Sequence, residues 1–374
     1  MDRISLESMV ENWNASSLKN NLGTKIYLQI KTMSSLSSQG FFMPAEWHPH
    51  DCCWMGWPCR IKTWGERMYE AKLAYAEIAQ AINQFEPVKM TARQEDAEEA
   101  RKMCGTQIEI VPLPMDDSWT RDSGPTFIID RKGKLAGIDW EFNQWGADYP
   151  DCEDDADFAR ALLNHISVEH FKAPFVLEGG SIHVDGDGTL MTTEQCLLHP
   201  NRNPEIDQEE IEQLLREHLN VHNIIWLGEG LMDDETDGHV DNLACFIKPG
   251  AVMALISSDP EDENYDVLQD NLLRLKHAKD ARERSLEIIT VEQPETRWKE
   301  DERLAQSYIN FYLPNKGIVM PAFNDPVHDN QAREIFEKVF PDREIIQLDA
   351  QEIVMGGGGI HCITQQQPNA LVIS

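Results

Sequence analysis

Residues 357–361 read Gly-Gly-Gly-Ile-His and residues 179–183 read Gly-Gly-Ser-Ile-His, so the chain contains one glycine-rich motif twice. The tripeptide His-Val-Asp also occurs twice, at residues 183–185 and 239–241. Each glycine motif ends an irregular stretch and begins an apolar one. Short motifs that recur at loop and strand ends indicate repeated supersecondary units around a common centre.

The hydrophobic pattern around these motifs alternates between helix and strand. Helical periodicity predicts helices at 66–85, 94–103, 156–166, 207–219, 265–279 and 329–340. Short apolar or alternating runs predict strands at 88–92, 107–113, 126–129, 135–140, 224–227, 252–256, 286–291, 318–321 and 344–348. Interleaved strands and helices indicate an α/β fold class.

The domain organisation follows from composition along the chain. Residues 1–42 are rich in Ser, Asn, Gly and Thr without a sustained period, so we expect a flexible N-terminal extension, in which Met33 is a second candidate start. No linker rich in Pro, Gly or Ser divides the chain after residue 43. We therefore expect one compact domain over residues 43–374.

The charge balance excludes several classes of partner. The 374 residues contain 33 Lys+Arg and 65 Asp+Glu, which gives a formal net charge of −32. A chain without a basic excess has nothing to displace counterions from phosphates, so neither nucleic acid nor an anionic membrane is expected as a partner. The sequence shows no apolar run of about 18 residues and no leader pattern, which predicts a soluble, cytoplasmic protein. Its eight cysteines, with no CxxC pair, are then expected to be reduced thiols.

Cys362 follows the second glycine motif directly. Four consecutive glycines at 356–359 are costly in entropy unless the backbone needs positive φ or a close approach. A thiol beside backbone amides freed by glycines could be held as the thiolate, which is the reactive form. The alternative is a buried structural cysteine, and this segment alone leaves both interpretations open.

His239 and Asp241 are separated by one residue, so on a strand they would point to the same face. Three interpretations compete: a structural histidine, a metal-binding pair, and an acid/base beside a carboxylate that binds a cation. The chain has neither an HExxH motif nor a Cys/His quartet at zinc spacing, which argues against metal.

Asp122 lies between Trp119 and the turn Ser123-Gly124-Pro125. Carboxylates around an aromatic face suit a planar guanidinium or another organic cation, through bidentate hydrogen bonds and cation–π contact. This segment therefore indicates a cationic substrate.

Several ordered motifs together give the sequence a specific resemblance over about residues 43–368. It resembles the agmatine deiminases, a family of the guanidine-modifying superfamily that also includes arginine and peptidylarginine deiminases. The motifs are Met43-Pro44-Ala45-Glu46-Trp47, Trp54-Met55-Gly56-Trp57-Pro58, residues 119–125, Glu178-Gly179-Gly180, Gly238-His239-Val240-Asp241-Asn242 and residues 356–366.

The resemblance implies a fold and a set of roles. The fold would be a pseudo-fivefold α/β propeller of repeated ββαβ units, the pentein fold. It implies a homodimer that needs neither a metal nor an organic cofactor. The implied roles are nucleophile for Cys362, acid/base for His239, guanidinium binding for Asp122 and Asp241, support of the histidine for Glu178, and substrate contacts for Trp119, Glu235 and Asp237.

The implied reaction is hydrolysis of agmatine to N-carbamoylputrescine and ammonia through a Cys-thiouronium intermediate, in putrescine biosynthesis from arginine. One alternative is a peptidylarginine or arginine deiminase, although the substrate motifs are acidic apart from Arg121. Another is a polyamine-binding protein without turnover. Two departures stand out: Gly359 occupies a place where the family commonly has Asn, and the connection 282–303 is shorter than in many relatives.

Overall fold

The computed structural model describes residues 35–146 and 152–372 and shows short strands interleaved with helices. The strands are β1 Phe41–Phe42, β2 His50–Gly56, β3 Val88–Ala92, β4 Glu109–Pro112, β5 Thr126–Asp130, β6 Leu135–Glu141, β7 Glu169–Val176, β8 His183–Val184, β9 Thr189–Thr193, β10 Asn223–Leu227, β11 Ala244–Lys248, β12 Ala251–Ile256, β13 Glu287–Glu292, β14 Trp298–Lys299, β15 Glu302–Arg303, β16 Gly317–Ala322, β17 Glu344–Asp349 and β18 Thr364–Pro368. The helices are α1 Ile61–Trp64, α2 Met68–Ile82, α3 Ala97–Cys104, α4 Thr120–Ser123, α5 Glu153–Ala156, α6 Phe158–His165, α7 Glu194–Leu197, α8 Gln208–Leu219, α9 Tyr265–His277, α10 Pro326–Val339 and α11 Gln351–Val354.

Within this described part of the chain, five sheets share one form. In each, a central strand pairs with an antiparallel neighbour on one side. A helix connects the central strand to a parallel partner on the other side. The units are β5-β6-α6-β7, β8-β9-α8-β10, β11-β12-α9-β13, a bridge at Tyr312 with β16-α10-β17, and β18-β2-α2-β3. The last unit joins the two ends of the described chain, because β18 pairs with β2. These are the ββαβ units that the resemblance implied.

Helix α8 shows how the sequence specifies one of these crossovers. Asp207 accepts a hydrogen bond from the backbone N–H of Glu210, whose side chain bonds back to the N–H of Asp207 in a capping box. Asn220 ends the helix in the left-handed conformation with φ of 57°. One face of the helix is apolar and packs on its sheet through Ile211, Leu214, Leu215 and Leu219.

The predicted elements are present, and the prediction missed some strands. All six predicted helices and all nine predicted strands occur, with ends shifted by a few residues. The strands without a counterpart in the prediction include β2, β7, β9, β11 and β18. In β18 the cause is composition, because Thr364, Gln365 and Gln366 are buried polar residues rather than alternating apolar ones. The amide of Gln365 is satisfied by Arg121 and by the carbonyl of Pro125, which makes its burial tolerable.

The packed chain begins before the expected boundary at residue 43. Leu36 and Phe41 are 6% and 2% exposed and belong to the core beside Ile128, and Phe41 and Phe42 pair with β5. Residues 35–42 are therefore not part of a flexible extension. Isolated apolar residues among Ser and Gly carry no periodic signal, which explains the error. Residues 1–34, including Met33, lie outside the described residues.

The lengths of the helices show whether any of them could span a membrane. The longest helix in the described ranges, α2, has 15 residues. No helix there is both long enough and apolar enough to cross a bilayer.

Candidate active site

Gly180 marks the point where loops of different units meet. A Cβ added at Gly180 would lie 2.6 Å from His239 Nδ1, 2.9 Å from Asp241 Oδ2 and 3.0 Å from Asp122 Oδ1. The repeated glycine motif thus leaves room for three side chains from two other segments of the chain. His239 and Asp241 would share a face on a strand, but Val240–Asn242 is a 3₁₀ turn. Both side chains nevertheless face Gly180.

Cys362 lies at this centre, 4% exposed. Its Sγ is 3.3 Å from Asn310 Nδ2, which donates to it, and 3.7 Å from Asp241 Oδ2. Burial raises the pKa of Cys362 well above that of a free thiol, and the carboxylates of Asp241 and Asp122 raise it further. The backbone N–H of Gly359 and the Asn310 amide act in the opposite direction but do not prevail. The glycine loop by itself therefore does not lower the pKa of Cys362 below that of a free thiol.

His239 is buried between two carboxylates without touching either closely. Its Nδ1 is 3.8 Å from Asp122 and its Nε2 is 3.7 Å from Glu178, and neither ring nitrogen has a hydrogen-bond partner. Burial opposes the charged form, yet Asp122, Cys196 and Glu178 together raise the pKa of His239 well above its usual value. These anions favour the imidazolium form, in which both ring N–H groups would be donors without a partner among the described residues.

Asp122 and Asp241 have different surroundings. Asp122 accepts from the N–H of Gly180 at 2.8 Å and from Trp145 Nε1 at 3.0 Å. Burial raises the pKa of Asp122, with Asp241 and Glu178 adding to the rise and His239 opposing it. Asp241 Oδ2 accepts from His361 Nδ1 at 2.8 Å, while its Oδ1 is buried without a partner. Burial would raise the pKa of Asp241, but His361 and other cations lower it overall.

Glu178 is held by Arg202 on the far side of His239. Arg202 Nε donates to Glu178 Oε1 at 2.7 Å, and its Nη1 donates to Asp237 Oδ2 at the same distance. Burial raises the pKa of Glu178, but His239 and Arg202 outweigh it and leave the pKa below the usual value. Asp237 is thus engaged by Arg202 and by Asn201, which favours an indirect role over direct contact with a substrate.

One group among the described residues could be considered as metal ligands. The ligand atoms of Glu178, Cys196 and His239 lie within 4.8 Å of one another. Burial raises the pKa of Cys196 to about 11, and the pKa of His239 is also raised, so protons compete strongly for two of the three ligands. Arg202 occupies the remaining carboxylate. The chemistry of this group favours a proton site over a metal site.

Two indole rings form one wall of the site. Trp64 and Trp119 stack with centroids 5.6 Å apart and an interplanar angle of 27°. A Cβ on Gly356 would lie 2.4 Å from Trp64, and one on Gly358 would lie 2.6 Å from Trp119. Gly357 has φ of +108°. The glycine run is therefore explained mainly by close approach to aromatic rings, with one position that needs positive φ.

Glu235 lies beside the same glycine run, next to Gly357. A Cβ on Gly357 would be 3.0 Å from Glu235 Oε2. Burial raises the pKa of Glu235, and Lys299 on the hairpin β14-β15 lowers it. Glu235, Lys299 and Gly357 line one small groove. The connection 282–303 therefore lines this groove through Lys299.

Asn310 occupies the space beside Gly359. A Cβ on Gly359 would lie 2.2 Å from Asn310 Oδ1, so no side chain fits there without displacing Asn310. Asn310 accepts from the N–H of His361 at 2.9 Å and donates to Asn242 at 3.0 Å. These bonds brace the loop that carries Cys362.

Sequence reasoning named Cys362, His239, Asp122, Asp241 and Glu178, and these five side chains lie close together in the structure. It missed three residues that contact them: Asn310, Trp145 and Arg202. Each is distant in sequence from its partner and stands outside the quoted motifs, so no spacing pointed to it. The buried side chains of Glu46 and His361 lay inside quoted motifs, where their histidine–carboxylate chemistry was the available signal.

Comparison with known proteins gives consistent matches. The model of the Porphyromonas-type peptidyl-arginine deiminase family matches residues 42–368. A Legionella pneumophila protein provisionally named agmatine deiminase is 52% identical over 333 residues, covering 88% of this chain and 96% of its own. The agmatine deiminase of Stutzerimonas stutzeri is 44% identical, covering 91% and 99%. The solved agmatine deiminase of Enterococcus faecalis is 36% identical with a TM-score of 0.87, covering 90% and 98%.

The fold is thus the pentein fold of guanidine-modifying enzymes, and the Cys/His/carboxylate centre lies where its units meet. The chain belongs to the Porphyromonas-type peptidyl-arginine deiminase family and, within it, to the agmatine deiminases, which are hydrolases of the guanidino C–N bond.

Proposed function

We propose that the protein hydrolyses agmatine to N-carbamoylputrescine and ammonia through a covalent intermediate on Cys362. The observation that carries this proposal is the buried cluster in which His239, Asp122 and Asp241 surround Gly180, with the Cys362 thiol 3.7 Å from Asp241 Oδ2. Identity above 40% along nearly the whole length of agmatine deiminases supports the choice of substrate.

Substrate binding would rest on the two aspartates. Asp241 Oδ1 has no hydrogen-bond partner among the described residues and is available to accept a guanidinium N–H. Asp122, held by Gly180 and Trp145, would accept from the opposite edge. Two carboxylates fix the plane of the guanidinium and present its central carbon to Sγ, which supplies proximity and orientation.

The same binding would activate the nucleophile. Asp241 and Asp122 raise the pKa of Cys362, and a bound guanidinium would neutralise their effect. The thiol can then release its proton to solvent, and the thiolate adds to the guanidinium carbon. His239 as imidazolium donates a proton to the departing amino group, so ammonia leaves and an S-alkylthiouronium remains.

Hydrolysis would use the same histidine in its neutral form. His239 takes one proton from water as the oxygen attacks the thiouronium carbon. The C–S bond then breaks to release the thiolate, and the remaining hydroxyl proton passes to solvent as the substituted urea forms. Glu178, fixed by Arg202, favours the return of His239 to the imidazolium. Every step is balanced by one water molecule and needs no further reactant.

The far end of agmatine would lie against the aromatic wall and Glu235. Trp119 and Trp64 suit the tetramethylene chain, and the carboxylate of Glu235 suits the terminal ammonium. One observation favours a second candidate: Lys299 near Glu235 could instead pair with the α-carboxylate of arginine. The substrate test must therefore include arginine.

The test is a steady-state assay with freshly reduced protein. Agmatine, arginine and a blocked arginine peptide are compared for ammonia release, and carbamoylputrescine is identified by mass spectrometry. We expect the highest kcat/KM with agmatine, and acid quenching during turnover should reveal an adduct on Cys362 that Cys362→Ala lacks. No turnover of agmatine would refute the proposal, whereas binding without turnover of any guanidine would favour a polyamine-binding protein.

We further propose a cytoplasmic homodimer that acts in putrescine synthesis. Support for self-association comes from exposed apolar side chains on α1 and α2: Ile61, Tyr69 and Leu73 are 76%, 61% and 47% exposed. Light scattering on the purified chain tests the dimer, and a monomer at all concentrations would contradict it.

A further inference from the structure

A second buried histidine lies directly behind the proposed guanidinium site. His361 Nδ1 is 2.8 Å from Asp241 Oδ2, and His361 Nε2 is 2.7 Å from Glu46 Oε1. The side chains of His361 and Glu46 are 4% and 11% exposed. A carboxylate only accepts hydrogen bonds, so two such contacts require a proton on both ring nitrogens. His361 therefore fits as an imidazolium between two anions.

Two further groups contact Glu46. His183 Nε2 is 3.6 Å from Glu46 Oε2, and His183 Nδ1 accepts the backbone N–H of Phe246 at 3.3 Å. That bond leaves the proton of His183 on Nε2, directed at Glu46. Arg121 Nη1 is 3.6 Å from Glu46 Oε1. Both histidines of the repeated Gly-Gly-x-Ile-His motif thus converge on one carboxylate.

We propose that Glu46 and His361 form a positioning pair for the reaction: Glu46 keeps His361 charged, and His361 fixes Asp241 so that only Oδ1 remains for the substrate. The inference rests on the proposed function for its kinetic consequence. Neither residue touches the reacting atoms, so both act through Asp241.

Local electrostatics agree with this geometry. Burial and Arg121 oppose a charge on His361, but Glu46 and Asp241 raise its pKa overall. Burial would raise the pKa of Glu46, yet His361, His183 and Arg121 hold it well below the usual value. Asp122, which has no such partner, has a raised pKa instead. The contact with His361 therefore helps to explain why the pKa of Asp241 is lowered while that of Asp122 is raised.

The direct test is the protonation state of His361 in the intact protein. In ¹⁵N-histidine-labelled wild type, long-range ¹H–¹⁵N spectra report whether both ring nitrogens carry protons, and loss of a signal set in His361→Asn assigns the residue. We expect an imidazolium throughout about pH 5–8, where a free histidine titrates. A neutral His361 near pH 7 would overturn the proposal, whether or not any variant folds.

The kinetic test uses Glu46→Gln, which keeps the shape of the side chain and removes its charge. Loss of Glu46 lowers the pKa of His361, so kcat/KM should be near the wild-type value at low pH and fall about tenfold as pH rises through the new pKa. His361→Asn retains one neutral donor to Asp241 and should lower kcat/KM about 10–100-fold at every pH, a size typical for supporting residues of functional sites.

Glu86→Gln is the matched control, because Glu86 also pairs with a buried histidine, His50 Nδ1 at 3.1 Å, and makes no contact with Asp241. It should leave kcat/KM within about threefold of the wild-type value and the pH profile unchanged. A wild-type pH profile in Glu46→Gln would overturn the pairing. If wild type itself fails to convert agmatine, the proposed function falls, while the NMR result still decides the charge of His361.

Discussion

Two buried histidines in this molecule each lie between two carboxylates, but at different distances. His361 is 2.8 and 2.7 Å from its partners, whereas His239 is 3.8 and 3.7 Å from its own. His361 is fully hydrogen-bonded, and both nitrogens of His239 are without a partner. The closely held ring cannot easily exchange a proton, while the loosely held one can.

In the proposed mechanism, His361 keeps its positive charge in place, whereas His239 transfers a proton. A proton donor in catalysis needs a raised pKa but also a path to the substrate, which short bonds to carboxylates would block. His239 gains its charge from anions about one ångström too far away to take its protons. The same residue types thus serve two tasks, and distance decides which.

The largest effect is expected from His239→Asn. General acid/base catalysis typically contributes about 10²–10⁴-fold, so kcat should fall by that amount because neither ammonia release nor water attack has a proton partner. Steady-state rates with agmatine at pH 7 measure it. His361→Asn is the comparison variant, and the roles would be reversed if it lowered kcat more than His239→Asn does.

Gly180→Ala should displace His239 and Asp241, because the added methyl group would crowd their side chains. Its Cβ would lie 2.6 Å from His239 Nδ1 and 2.9 Å from Asp241 Oδ2, so these side chains must move. A displacement of about 1 Å can cost about 100-fold in rate, and we expect a loss of that order in kcat/KM. Gly228→Ala is the control, since its Cβ would meet only the ends of the Asp270 and Arg274 side chains. Equal activity of the two variants would contradict this account.

Glu178→Gln tests whether the Glu178 carboxylate raises the pKa of His239. In wild type, kcat/KM falls as pH rises through the raised pKa of His239, because the imidazolium is the proton donor. Removing the Glu178 anion lowers that pKa, so the alkaline limb moves to lower pH. One pKa unit corresponds to about tenfold on that limb, with little change at low pH. Full pH profiles of both proteins measure the shift, and an unmoved limb would exclude Glu178 as a source of the charge.

The smallest effect is expected from Asp237→Asn. Its side chain is 28% exposed and bonds to Arg202, which remains attached to Glu178 without it. We expect kcat/KM to change by about threefold or less, the size of a partly exposed ion pair. KM and kcat for agmatine are measured separately. A rise in KM of more than tenfold at constant kcat would instead show that Asp237 contacts the substrate.

The extent of sequence-based prediction follows from where each contact arises. Cys362, His239 and Asp122 stood in motifs whose glycines and acids are unusual on their own, so local reading found them. Asn310 reaches Cys362 across 52 residues, and Arg202 reaches Glu178 across 24. Such pairings depend on how the units meet, which periodicity does not reveal.

Contacts from other units also decide what local reading left open. The glycine loop was compatible with a thiolate or with a buried thiol, but burial raises the pKa of Cys362, and Asp241 and Asp122 from other units raise it further. His239 and Asp241 would share one face of a strand, but the chain forms a 3₁₀ turn there. The five-unit fold was implied by the family resemblance, with which the recurring motifs agree, whereas the polar strand β18 lacks the apolar alternation that predicts a strand.

The pairing of β18 with β2 has a consequence for synthesis in the cell. Cys362 lies two residues before β18, and that strand must find a partner near the opposite end of the chain. Chains emerge from the ribosome N-terminus first, so four units can form while the fifth still lacks a strand. Cys362 therefore joins Asp122 and Asp241 only after the ribosome has passed Pro368, and a shorter nascent chain would lack the complete centre that the proposed reaction needs.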